Sequence, residues 1–285
     1  MKTTPEGVEQ WFTPARFGLL TACLIAACFP GVIAGRDTFF FRDFAIFSYP
    51  LAAYHKECFW QGTIPLWNPY NDCGLPFLAQ WNTMVLYPLS LIYLLFPLSW
   101  SLPMFCLFHW WFGGFGMYRL ARSWTGNNSA ATLAGLAFLF NGVLLSCLKW
   151  PNNVAALGWM PWVVLAAERA FAGNARELGI AALVGAVQML AGAPEIILLT
   201  WGFVGALWIT SFRGEWRKPL FRFPLLVVLV AGLSAAQLLP FFDLLQHSQR
   251  DGAFRGSQWP MRCRACRATC SGIMPITSLH HGGAG

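Results

Sequence analysis

Seven stretches of this chain are apolar over enough length to cross a bilayer, and that leaves little freedom in what it can fold into. They cover residues 17–35, 102–121, 130–148, 154–171, 178–193, 195–212 and 223–242. A helix needs about 20 apolar residues to span the hydrocarbon core. Only 11% of the residues are charged and the mean hydropathy is +0.51, whereas a soluble domain carries about a quarter charged residues. The expected fold class is an all-α polytopic membrane protein with seven transmembrane helices. The net charge of +7 does not point to nucleic acid. The charges sit in short loops between apolar runs, and no nucleic-acid motif is present.

One further apolar run, residues 85–100, contains Pro88 and Pro97. Counting it as a full span places Arg119, Arg122, Arg213, Arg217, Lys218 and Arg222 outside, against the positive-inside tendency. Reading it as an interfacial or re-entrant helix restores the tendency. Those six residues then join Lys2, Arg16, Arg169 and Arg176 inside, and only Arg36, Arg42, Lys56 and Lys149 lie outside before residue 245. The amino terminus is expected inside, in a cell inner (cytoplasmic) membrane. The charged leader, residues 1–16, is long for a signal peptide and lacks a good small-residue cleavage site, so the first run is expected to remain as a span.

This topology puts a large polar segment, residues 36–101, on the outer side. Its portion from Gly35 to Pro88 holds four acids, three bases and five prolines. Lys149–Asn153, Gly192–Glu195 and the stretch from Asp243 through His247 and Arg250 to Asp251 fall on the same side, and the four segments are expected to converge. Asp37 and Asp43 each follow an arginine, Arg36 and Arg42. A carboxylate beside a cation stays ionised and can act as a general base. It can also hold a divalent metal ion, so the cofactor stays open; an ordinary ion-paired loop acid is the plain alternative. Trp67, Tyr70, Trp81 and Tyr87, in and around a rigid turn-rich unit that also holds Asn68, suit stacking on sugars or anchoring at headgroup level. Glu195 stands at the lip between two spans, where an acid is costly, although an acid after Pro194 also suits a helix start. Gln188, Gln237 and His109 lie within spans, where interhelical hydrogen bonding is the expectation.

Cys58 and Cys73 share the outer segment, where an oxidising compartment allows a disulfide. Cys263, Cys266 and Cys270 have a metal-like spacing but sit in a tail, residues 259–285, whose arginine- and cysteine-rich text breaks with the rest of the chain. That tail reads as disordered or out of frame, and the expectation is a protein that continues with further spans.

The order Asp37, Asp43, Tyr49-Pro50, Pro65-Leu66-Trp67-Asn68-Pro69, Gly74, Pro76-Phe77 and Tyr87-Pro88 resembles the YfhO-like bacterial membrane proteins. Gly116–Leu120, Pro151-Asn152 and Ala191–Glu195 extend the resemblance over residues 17–258. It implies a GT-C-like glycosyltransferase. The donor would be a polyprenyl-phosphate-linked sugar and the acceptor a cell-envelope molecule, met at the outer membrane surface. It makes Asp43 the first choice of catalytic acid and Asp37 the second, with Arg36, Arg42, Trp67, Asn68, Tyr70, Tyr87, Asn152 and Glu195 as substrate-binding residues. A lipid or sugar transporter (a flippase), and a non-catalytic scaffold or inactive fragment, are the competing readings.

Overall fold

A computed structural model describes residues 11–71, 73–211 and 217–248, with the side chains of 217–219 outside the description. The chain divides into two units, Met1–Leu244 and Leu245–Gly285, and the packing below belongs to the first. The fold is all-α, 78% helical. Twelve α-helices occur among the described residues, and the strands are one two-residue antiparallel pair, Trp67–Asn68 with Leu75–Pro76.

In chain order the helices are α1 (Pro14–Cys28), α2 (Pro30–Ile33), α3 (Tyr49–Trp60), α4 (Leu91–Leu95), α5 (Leu98–Thr125) and α6 (Asn128–Leu139). They continue with α7 (Gly142–Cys147), α8 (Pro151–Ala172), α9 (Ala175–Leu190), α10 (Pro194–Thr210), α11 (Arg217–Leu233) and α12 (Ala235–His247). Several starts are written locally. The side chains of Asn127, Asn141 and Asn174 accept from the backbone N–H groups of Ala130, Leu144 and Glu177, capping α6, α7 and α9. Pro151 and Pro194 open α8 and α10, where a missing N–H costs nothing.

Three of the seven expected spans are not continuous helices. The run 17–35 is split into α1 and α2 at Phe29, which leaves the helical conformation just before Pro30. The run 130–148 is split into α6 and α7, because the Asn141 side chain caps a new helix in mid-run. The run 223–242 is split into α11 and α12, which meet at an angle of 82° around Ser234. Among the described residues only α8 is by itself long and apolar enough to cross a membrane, and the bent α11–α12 pair would be a second such span. Helix α5 has the length, at 28 residues, but its aromatic, glycine and histidine content lowers its hydropathy. The run 85–100 forms no full helix: a short turn and the five-residue α4 precede α5.

Helices α5 and α8 form the centre. Helices α1 and α6 pack on α5, while α9, α10 and α11 pack on α8. Glycine lets the central pair meet closely. A Cβ on Gly158 would stand 2.7 Å from the His109 carbonyl oxygen, and one on Gly113 would stand 3.1 Å from Gly158 Cα. Small residues in such a seam are what let two helix backbones approach this closely. The side chains that face away from these contacts are themselves apolar: Leu19, Leu24, Leu183, Leu198, Phe203 and Val228 are all exposed.

At one end of α8, Arg222 donates to the carbonyls of Ala170 (2.7 Å) and Gly173 (2.5 Å), which the helix leaves unpaired. At the other end lies residues 36–101, keyed to the centre by Tyr87. Its ring is 1% exposed. Its hydroxyl lies 2.6 Å from His109 Nε2 and accepts from Trp159 Nε1 at 2.7 Å. His109 Nδ1 lies 2.7 Å from the Phe105 carbonyl, so Nδ1 carries the proton and Nε2 accepts from Tyr87. Tyr87→Phe strands the Trp159 donor and the His109 acceptor, and should cost about 2 kcal/mol. Adding Trp159→Phe should restore part of that loss, since it removes one stranded group. Thermal unfolding of the solubilised variants measures both.

Candidate functional site

The 36–101 layer is an ordered cap. Its first element is a π-helical turn, Phe44–Ser48, directly after Asp43. Pro50 has no N–H to give to residue 46, so the helical ladder widens there before α3 begins. Such wide turns recur at functional sites. Helix α3 then clamps α4. Trp60 Nε1 donates to the Leu94 carbonyl (2.9 Å), and Lys56 Nζ donates to the carbonyls of Tyr93 (3.3 Å) and Phe96. Those carbonyls end a helix followed by Pro97 and have no other donor in the ladder.

The layer also reaches the distant segments expected to converge with it. Ser48 donates to the Lys149 carbonyl (3.3 Å), and Trp81 Nε1 to the Met189 carbonyl (2.6 Å). Gln237 Nε2 donates to the Leu78 carbonyl (2.7 Å). Asn152 Nδ2 donates to the Gly192 carbonyl (3.0 Å), and Gly192, at φ +78°, lies so close under Trp81 that a side chain would collide with the Trp81 carbonyl. Segments 149–153 and 189–195 therefore meet the layer. Asp243 and His247 lie on α12, and Arg250 and Asp251 fall outside the described residues.

The predicted site residues separate into two groups. Arg36, Asp37 and Arg42 are exposed and Asp43 is half-buried. The Asp37 carboxylate lies against Gly31, whose carbonyl accepts from the backbone N–H groups of Arg36 and Asp37. Arg42 adopts φ +47°, a left-handed turn that is unusual for a side-chain-bearing residue. Among the described residues neither Arg-Asp dipeptide forms an ion pair. Trp67 and Tyr70 are 54% and 76% exposed. Glu195 is exposed in the first turn of α10. The other group is structural. Tyr87 is buried with its hydroxyl satisfied, so it holds the layer and presents nothing to a ligand. Asn152 spends its amide on Gly192 and Asn153. Asn68 is buried, and its Oδ1 accepts from the Tyr70 N–H at 3.0 Å.

Two cavities draw wall residues from the 38–47 segment, and Asp43 itself lines neither. One, of about 470 Å³, is lined by Phe29, Phe39, Phe41 and Phe44, with Ser146 and Lys149 among its walls. The other, of about 340 Å³, is lined by Phe47, Tyr54, Glu57, Asn68, Tyr70 and Asn71. A third space, of about 20 Å³ between Ser48, Asn82 and Asn152, has room for a water molecule. Tyr54 and Glu57 were missed by sequence reasoning, although their i, i+3 spacing puts them on one face of a helix. Among the described residues no cluster of three or more His, Cys, Asp or Glu could hold a metal ion. Cys58 and Cys73 are both free, the first buried in α3 and the second exposed in the hairpin turn, so the disulfide is not formed. The Cys263–Cys270 run lies outside the described residues.

No family model, no curated protein and no solved structure matches this chain. The YfhO-like and GT-C readings therefore rest on its own residues.

His55, buried within the layer with Nδ1 3.2 Å from the Tyr93 hydroxyl, has its pKa lowered to about 4 by desolvation. The unfolded chain then binds more protons than the folded one between about pH 6.5 and 4. Stability present above that window should fall as pH drops through it, by about 3 kcal/mol in all, and level off below. Unfolding midpoints from pH 7 to 4 should show a steeper decline for the native chain than for His55→Gln.

Proposed function

We propose that this chain is a polytopic protein of a bacterial inner membrane with a GT-C-like sugar-transfer site on its outer side. The exposed apolar faces of α1, α9, α10 and α11 support a lipid surround, since water does not tolerate so much contiguous apolar surface. The Arg222 end of α8, close to Arg169 and Arg176 in sequence, suits the inner side, and the capped end suits the outer.

The observation that carries the site is the pair of unlike cavities walled in part by the 38–47 segment. The phenylalanine-lined groove suits the chain of a polyprenyl phosphate, with the Lys149 ammonium meeting the phosphate in place of Arg36 or Arg42. The other cavity, where Tyr54, Glu57, Asn68, Tyr70 and Asn71 face a wall of Ile46, Pro50, Leu51 and Ala53, suits the acceptor. Between them Asp43 takes the proton of the acceptor hydroxyl as its oxygen attacks the anomeric carbon. The bond from that carbon to the phosphate oxygen breaks, and the lipid phosphate leaves with the electron pair. A positioned base of this kind is worth about 10² in rate or more.

A second reading has one observation in its favour. The 82° bend between α11 and α12, with buried Gln237 just beyond it, is the kind of discontinuous helix on which transporters build binding sites.

Product formed from a labelled polyprenyl-phosphate sugar in proteoliposomes should drop by about 10² in Asp43→Asn, while Lys149→Ala should mainly raise KM. Full transfer by Asp43→Asn eliminates the base assignment. Movement of the lipid across the bilayer without its consumption favours the transporter. Orientation has its own check: a membrane-impermeant maleimide added to intact spheroplasts should label exposed Cys73 and spare buried Cys58.

A further inference from the structure

The 340 Å³ cavity falls in the size range of small-molecule pockets, and its walls are chemically specific. Tyr70 offers an aromatic ring that is 76% exposed yet held in place. Its backbone N–H is bound by Asn68, and its edge meets Tyr54 at 5.9 Å with the rings at 82°. Tyr54 is itself fixed, because its hydroxyl donates to the Trp67 carbonyl at 2.7 Å and its ring packs edgewise on Phe77 at 5.0 Å. Among the described residues the Glu57 carboxylate accepts from Gln61, at 3.2 Å, and from no other side chain, so most of its lone pairs face the cavity. Asn68 uses its oxygen on Tyr70, which leaves its amide group as a donor.

An aromatic face, an open carboxylate and an amide donor together fit a ring with an apolar C–H face and a rim of hydroxyls. A phosphate or nucleotide is disfavoured, because the wall carries a carboxylate and no cation. We propose that this pocket binds a neutral pyranose. Tyr70 is the stacking platform and Glu57 the acceptor that selects hydroxyl orientation. The inference rests on the transfer reading and deepens it: the acceptor is a carbohydrate, and Tyr70 and Glu57 determine which one.

The test uses the full chain in phospholipid nanodiscs free of sugar-headed detergents. Saturation-transfer NMR is run with soluble glucose, mannose and N-acetylglucosamine oligosaccharides. One of these should bind with Kd of about 1 mM or tighter. Tyr70→Ala should weaken it about tenfold or more, Tyr70→Phe should stay within about threefold, and Glu57→Gln should weaken it severalfold. If Tyr70→Ala does not fold, the exposed Glu57→Gln decides alone. The proposal is overturned if no saccharide binds up to about 10 mM. It is also overturned if both variants bind as the native chain does, or if choline displaces the sugar as the preferred ligand. Sugar binding that depends on Tyr70, with no turnover of the lipid donor, would leave the pocket standing and sink the transfer reading. Turnover with saccharide binding unchanged in both variants would do the reverse.

Discussion

The close seam between α5 and α8 is the constraint from which the rest of the molecule follows. Gly113 and Gly158 let the two backbones approach until no side chain fits between Gly158 and the His109 carbonyl. That approach buries His109 completely. A buried imidazole needs partners for both nitrogens, and it finds them in the Phe105 carbonyl and the Tyr87 hydroxyl. Trp159 on α8 completes the set from the other side. One polar knot thus ties two helices and the 36–101 layer together. Its alternatives are poor, since each stranded member would be buried without water.

The layer is held on by a repeated device. Long side chains with N–H groups reach carbonyls at turns and helix ends: Trp60 to Leu94, Trp81 to Met189, Trp100 to Ile33, and Gln237 to Leu78. An indole spends its N–H on a carbonyl while its ring covers apolar surface. Trp81, which read as a sugar-stacking or headgroup-level residue, is therefore a joint between segments, as are Trp60 and Trp100. The consequence for the site is rigidity. The 340 Å³ cavity is walled by residues that are themselves anchored, Tyr54 through Trp67 and Tyr70 through Asn68.

Much of the helical order was legible, because apolar runs and capping residues act locally. Pro151, Pro194 and Asn174 mark helix starts whatever surrounds them. Two of the three broken runs were not legible in the same way. Hydropathy does not change at Asn141 or Ser234 enough to end a run, and only the cap and the bend show that the helix restarts. Tyr87 was misread for a related reason. An aromatic residue in a proline-rich stretch looks the same whether its ring faces a ligand or a histidine 22 positions away. The Arg36-Asp37 and Arg42-Asp43 pairs looked electrostatic in one dimension and do not pair in three.

The sequence by itself determined that the fold is helical, where most helices start, and that residues 36–101 form a polar segment set apart from apolar runs. Those properties depend on composition, periodicity and capping, which act over a few residues. Only the tertiary structure decided which polar groups are spent on holding the chain together and which remain open. Asn152 and Tyr87 are consumed by distant partners, while Glu57 and Tyr70 are left facing a cavity. That division depends on which segments meet across tens of residues, and local chemistry does not encode it residue by residue.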